Sequence, residues 1–308
     1  MTPSAGAASS DSPAADARTC EWAFDGIGTG WQIDTPRPLT EPERGAVLAL
    51  VERFDRDWSR FRPDSVVETL RTAAGRHRLP DDADPLITLY RTLYALTDGA
   101  MSPAVGGGLE ALGYDARYSL RAGDPVPAPS FDDVDWSPPY LTTPAPFVLD
   151  VGAAGKGYLA DQVAALVAGL LTDGAAAGRS PAFTVDASGD LVRRGPALRV
   201  ALEHPLNPRA AVGVAALADR ALCGSAVNRR AWGDGLHHVL DARTGVPVPG
   251  PLATWVVADD ARTADALATA LFFTAPERLA EAFSFEYVIM PSPTELRRSA
   301  GFPGEIFS

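Results

Sequence analysis

The stretch from residue 147 to residue 170 restricts the fold more than any other part of the chain. An apolar run, residues 147–151 (FVLDV), stops at Gly152 and Gly155, and Leu159, Val163, Leu166, Val167 and Leu170 then recur at helical spacing. The pattern predicts a strand, a glycine turn, and a helix starting just behind Lys156 and Gly157. Glycines at such a turn let backbone N–H groups approach a ligand with no Cβ in the way, and the helix N-terminus adds partial positive charge suited to phosphate. Lys156 is the only lysine in the chain, every other long basic side chain being arginine. A phosphate site and an ordinary strand-to-helix connection with a solvated lysine both satisfy this stretch taken alone. It is neither a Walker A loop, since only two residues separate its glycines and Gly157 follows the lysine, nor G-x-G-x-x-G.

A chain of 308 residues can bury a substantial core, and a net charge of −12 argues against nucleic acid or an anionic membrane as partner, since both need a basic face. Any anionic ligand must then be held locally, by arginines, backbone amides or a cation. Cys20 and Cys223 form neither a disulfide framework nor a metal-ligand spacing. No apolar run approaches the roughly 20 residues of a membrane span. Residues 1–20 read as a disordered tail without signal-peptide or membrane-anchor features, which places the protein in the cytoplasm, with 21–308 as one domain.

Residues 22–34 (WAFDGIGTGWQID) read as a strand interrupted or ended near Gly26, Gly28 and Gly30, by a bulge or turn or by a backbone approach to ligand. Thr40 and Glu43 form a capping-box start to a helix whose apolar stripe is Val47, Leu48, Val51, Phe54 and Trp58. The loop 59–65 (SRFRPDS) has arginines and a phenylalanine available to line a pocket. A second helix opens at Asp84 and Pro85 and closes at Gly99, and residues 122–146 read as a long surface connection. Residues 182–192 read as a strand centred on Ser188, Gly189 and Asp190. Further strands are expected near 199–202, 212–217, 254–258 and 286–290, with a helix over 262–273. This mixture predicts an α+β fold.

Asp265 and Thr269 lie four apart on that last helix and so share one face. A carboxylate and a hydroxyl suit Mg²⁺, which takes few protein ligands and completes its shell with water and phosphate; a solvated helix face fits the same spacing.

With its neighbours, this pair makes the chain resemble the FAD:protein FMN transferase family, the ApbE-like proteins. The matching pieces fall in the family's order: GTGW at 28–31, SRFRPDS at 59–65, TDGA at 97–100, LDVGAAGKGYLAD at 149–161, SGD at 188–190, HHVLDARTGVP at 237–247 and ADALATALF at 264–272. The resemblance implies T-fold-related mixed sheets with packed helices and an FAD cleft. It implies FAD contacts at Gly28, Thr29, Gly99, Ala100, Met101, Asp150, Gly189, Asp190, Ser225, His238 and Asp241. It also implies Mg²⁺ held by Asp265, Thr269 and the main-chain carbonyl of Gly155, with Lys156 and His238 as catalytic residues and His238 the general base. The implied reaction moves FMN from FAD to a Thr or Ser hydroxyl of an acceptor protein and releases AMP.

Several positions depart from the family pattern. Met101 and Ser102 replace Phe-Asp, Gly224-Ser225-Ala226 replaces Thr-Ser-Gly, Asn228 stands for the usual Tyr, Asp186 and Ser188 replace Asn and Gly, and Ala242 follows Asp241 in place of Pro. Two alternatives therefore stay open, an Mg²⁺-dependent FAD pyrophosphatase and a non-catalytic flavin-binding protein.

Overall fold

The computed structural model describes residues 19–172, 181–228, 230–233 and 235–307, so most of the expected N-terminal tail lies outside the described residues. Cys20, the last residue of that tail, instead opens strand β1 (Cys20–Gly26), which pairs with β2 (Thr29–Thr35). The two strands form a hairpin whose turn residues, Ile27 and Gly28, have φ of 46° and 76°. Positive φ at both central positions gives the turn the twist that antiparallel strands require.

Helix α1 (Glu41–Trp58) follows. The Glu43 carboxylate accepts the Thr40 N–H at 2.7 Å, as the capping box predicts, and Val47, Val51, Phe54 and Trp58 are buried while Leu48 is exposed. Next come α2 (Glu68–Thr72), β3 (Gly75–Arg78), α3 (Asp84–Leu96) and α4 (Gly106–Ala111). Segment 122–146 is more than a surface connection, because β4 (Asp135–Ser137) and β5 (Tyr140–Thr143) lie within it and pair as a small sheet in the order β3-β5-β4. Strands of three or four residues are too short to display a period.

The run 147–151 is buried at Phe147, Leu149 and Val151 but joins no ladder. Its Phe147 N–H donates to Leu70 O in α2 at 3.0 Å and its Asp150 N–H to Pro103 O in a 3-10 turn at 2.7 Å, so short helical segments satisfy these groups in place of a neighbouring strand. Helix α5 (Gly155–Thr172) starts one residue ahead of Lys156. Residues 182–192 fold as a hairpin, β6 (Phe183–Asp186) and β7 (Leu191–Arg194), with Ser188 and Gly189 at positive φ in the turn. The chain continues through β8 (Leu198–His204), β9 (Asn207–Leu217) and β10 (Ala221–Ala226). Two short pairs follow, β11 (Ala231–Trp232) with β12 (Leu236–His237), and β13 (Leu240–Asp241) with β14 (Val246–Pro247). The last elements are β15 (Ala253–Ala258), α6 (Ala261–Ala270), α7 (Pro276–Leu279), β16 (Glu286–Ser292), β17 (Glu295–Arg298) and β18 (Gly304–Ile306).

An eight-stranded antiparallel sheet, β1-β2-β6-β7-β10-β15-β16-β17, organises the molecule. Residues of α1, α3, α5 and α6 pack on one face of it, against Val185, Val192, Cys223 and Val256. The opposite face contributes Leu222, Trp255, Val257 and Val288 to a second core shared with the three-stranded sheet β18-β9-β8. All six residues of β15 are buried, as expected of a strand covered on both faces. The architecture is the predicted α+β class. Among the described residues no helix is long and apolar enough to cross a membrane.

Candidate active site

The glycine turn ahead of α5 is held by Asp150. Its carboxylate accepts the Gly152 N–H at 2.7 Å and pairs with Nε of Arg60 at 2.5 Å. Burial pushes the Asp150 carboxyl upward, but the Arg60 guanidinium and the Gly152 N–H outweigh it and keep the group below the usual carboxylate range. Arg60 is itself buried, reaches Glu110 at 3.5 Å, and lies over the rings of Phe61 and Tyr114 at 4.1 and 4.9 Å. Its neighbour Arg62 turns outward instead, to Asp55, Asp64 and Glu52.

Lys156, in the first turn of α5, is not a solvated lysine. Its Nζ pairs with Asp190 at 2.8 Å and donates to Ala187 O at 3.0 Å, tying the helix to the β6–β7 turn. Burial alone would lower its pKa; the carboxylates of Asp190 and Asp265 reverse the direction and keep the ammonium charged. Asp265, on α6, accepts the Gly157 N–H at 2.9 Å through Oδ2. Its carboxyl is pushed well above the usual range, first by burial and then by the charge of Asp190, with Lys156 offsetting only part of this. Lys156 thus pairs directly with Asp190 and acts on Asp265 through its charge. One turn along α6, the Thr269 hydroxyl meets that of Ser225 on β10 at 3.0 Å.

His238 stands beyond β12. Burial, followed by the positive charge of Arg230, pushes its imidazole down to about 4, so the ring is neutral at pH 7, and its Nδ1 is buried without a hydrogen-bond partner.

These groups border one cavity of about 780 Å³. The β1–β2 tip lines it with Gly28 and Thr29, the α5 side with Asp150, Gly155 and Lys156, and α6 with Asp265 and Thr269. Met101, Gly189, Ser225 and His238 complete the wall among the positions that the resemblance singles out. Four other expected contact residues stand behind the wall. Asp190 is covered by Lys156; Gly99 closes α3 through its N–H to Tyr94 O at 2.8 Å; the Ala100 carbonyl accepts the Ala242 N–H at 2.9 Å; and the Asp241 carboxylate pairs with Arg243 at 2.6 Å.

The sequence reading missed Tyr114, Arg230 and Trp255, which also line the cavity. No local pattern marks them, since each reaches the wall through contacts distant in sequence. Among the described residues no three His, Cys, Asp or Glu side chains converge as a metal cage. A divalent ion here would have to use Asp265, the Thr269 hydroxyl, main-chain oxygen and ligand phosphate. That hard-oxygen set fits Mg²⁺, and a bound cation would favour the ionised Asp265 carboxylate that burial and the charge of Asp190 otherwise oppose.

Fold and cavity together define a mixed-sheet protein with a deep cleft at one helix N-terminus. The chain matches the model of the ApbE family over residues 27–288, and it belongs to that family. A curated relative, the FAD:protein FMN transferase of Rhodobacter capsulatus, is 29% identical over 279 residues, covering 84% of this chain and 51% of that protein. The chain therefore spans about half the length of the curated relative it matches. The crystal structure of the ApbE protein of Thermotoga maritima is similar at a TM-score of 0.80 and 22% identity, covering 94% of this chain and 100% of that one. The flavinyl transferase ApbE of Pseudomonas stutzeri, in its apo form, has a TM-score of 0.72 at 20% identity, with 92% and 96% covered. The flavin transferase ApbE of Vibrio cholerae has 0.76 at 19%, with 92% and 98% covered. At these identities the structural likeness is one of fold.

Proposed function

We propose that this chain transfers FMN from FAD to a Thr or Ser hydroxyl of an acceptor protein and releases AMP. The observation that carries the proposal is the convergence of Lys156, His238, Asp265 and Thr269, from distant segments, on one cavity of about 780 Å³. That volume suits a ligand of dinucleotide size. The acceptor hydroxyl oxygen attacks the flavin-side phosphorus, the bond from that phosphorus to the AMP phosphate oxygen breaks, and the hydroxyl proton passes to the imidazole of His238. A neutral ring with an uncommitted Nδ1 is suited to accept it. Asp265, Thr269 and Gly155 hold Mg²⁺, which neutralises charge on the diphosphate when bound. Lys156 keeps the α5 N-terminus against the β6–β7 turn, so that its ammonium stands at the cavity edge beside the diphosphate.

Incubating the chain with FAD, Mg²⁺ and candidate acceptor proteins tests this reading. The expected result is an FMN mass gain on a Thr or Ser, lost in His238→Ala and Asp265→Ala. Release of AMP and free FMN without an adduct on any acceptor supports the second reading, FAD hydrolysis by water. Ser102 favours a third reading, a non-catalytic flavin-binding protein: it stands where the family has a carboxylate, and its hydroxyl is occupied as acceptor of the Ala104 N–H at 3.2 Å. FAD bound but left intact would instead make the chain a flavin-binding protein.

A further inference from the structure

Along the contact of α5 with α6, Gly157 faces Asp265 while Asp161 faces Ala261 and Arg262, so the two helices pass each other in opposite directions. The Asp161 carboxylate accepts the Ala261 N–H through Oδ1 and the Arg262 N–H through Oδ2, both at 2.9 Å. Asp265 returns the arrangement by accepting the Gly157 N–H at 2.9 Å. Each helix therefore offers a carboxylate to the first turn of the other, from a position one helical turn beyond the N–H groups it exposes. The backbones are close at this point: a Cβ on Gly157 would stand 2.2 Å from Ala261 O and 2.7 Å from the Asp265 Cβ. α6 also has a cap of its own, Asp260, which accepts the Thr263 N–H at 2.7 Å. Asp260 stabilises α6 as a helix, whereas Asp161 fastens α6 to α5.

We propose that Asp161 is a positioning residue for the divalent-cation site. By gripping the first two N–H groups of α6, it sets where Asp265 and Thr269 stand against Gly155 and Lys156. Asp161 does not itself line the cavity. Burial pushes its carboxyl up to about 6, against the pull of the two N–H groups, a cost that a solvent-facing aspartate would not carry. The inference depends on the metal reading given under the proposed function. Outer-shell groups of this kind change metal affinity without touching the ion.

The test compares the full chain as wild type, Asp161→Asn and Asp260→Ala. Asp161→Asn keeps the shape but turns an NH₂ donor toward one of two N–H donors. Mg²⁺ affinity in the presence of FAD is read by titration calorimetry, and Gly157 amide exchange by NMR without metal. D161N is expected to weaken Mg²⁺ about tenfold or more and to speed Gly157 exchange by a similar factor. D260A, which loosens α6 only internally, should change each less than about threefold on the same reasoning. Unchanged affinity and exchange in D161N, or equal losses in D260A, overturn the proposal. Should D161N not fold, Asp161→Ser, which keeps a single acceptor, is read the same way. A wild-type chain that binds no Mg²⁺, with Gly157 exchange still faster in D161N, retires the metal reading and upholds the coupling of the helices. Normal Mg²⁺ binding with no effect of D161N does the reverse.

Discussion

His238 carries the clearest consequence at the scale of single residues. Its pKa is pushed down to about 4, so the folded state favours the neutral ring. The ordinary imidazole value is about 6.5. Proton linkage then has a definite sign: the contribution of His238 to stability is complete above about 6.5 and is lost as pH falls toward about 4. Catalysis should follow the same group. The rate of AMP release from FAD is expected to be level from neutral pH to about 5 and to drop through about 4, and His238→Ala should lower it by about 10²–10⁴-fold. Stopped assays across pH, with the fold followed by circular dichroism, check both. Lys156 gives a second prediction. Lys156→Met leaves the buried Asp190 carboxylate without its cation and should destabilise the chain by about 3 kcal/mol in denaturant titration. The presence of a single lysine was visible in the sequence, but its partner was not, because Asp190 lies on a turn of another hairpin.

At the scale of elements, the helix starts were legible because they depend on near neighbours. The Thr40–Glu43 box is local chemistry, and Glu43, bonded to Arg37, is held down at about 2. The sign follows the carboxylate case: this stabilisation is present above the ordinary value near 4.5 and is lost as pH falls toward about 2. Glu43→Ala should cost about 1 kcal/mol at neutral pH, measured by thermal unfolding. Gly157 is a stronger constraint, since Ala261 O stands where its Cβ would be. Gly157→Ala is expected to cost about 1–3 kcal/mol by forcing α5 and α6 apart. Strand limits were less legible. The turn between β1 and β2 was announced by its glycines, whereas the hairpin β6–β7 read as one strand, because Ser188, at positive φ ahead of Gly189, is not the Gly or Asn that usually marks a turn. Ile27 is β-branched at φ 46°, and Ile27→Asn should gain about 1 kcal/mol by relieving that conformation. The run 147–151 misled in the opposite direction, since a short apolar run reads alike whether its backbone meets a strand or a helical turn.

For the molecule as a whole, one sheet serves two cores, and the cavity opens beside only some of the packed residues. Leu159 is buried on the helix that carries Lys156, and Leu217 is buried in the core shared with β8 and β18. Replacing either by Ala should cost about 2–5 kcal/mol. Below the unfolding transition, FAD affinity is expected to weaken in Leu159→Ala and to hold in Leu217→Ala, a difference that fluorescence titration would detect. What the sequence determined by itself was whatever depends on residues within a turn or two: caps, helical stripes, the glycine turn before α5, and the chemical character of the side chains available. Only the tertiary structure decided that Lys156 would be spent on Asp190, that Gly99, Ala100 and Asp241 would stand behind the wall, and that Asp161 and Asp265 would exchange N–H groups. Those outcomes depend on how one sheet brings distant turns together, and burial and charge act on a side chain only after its neighbours have been chosen by that packing.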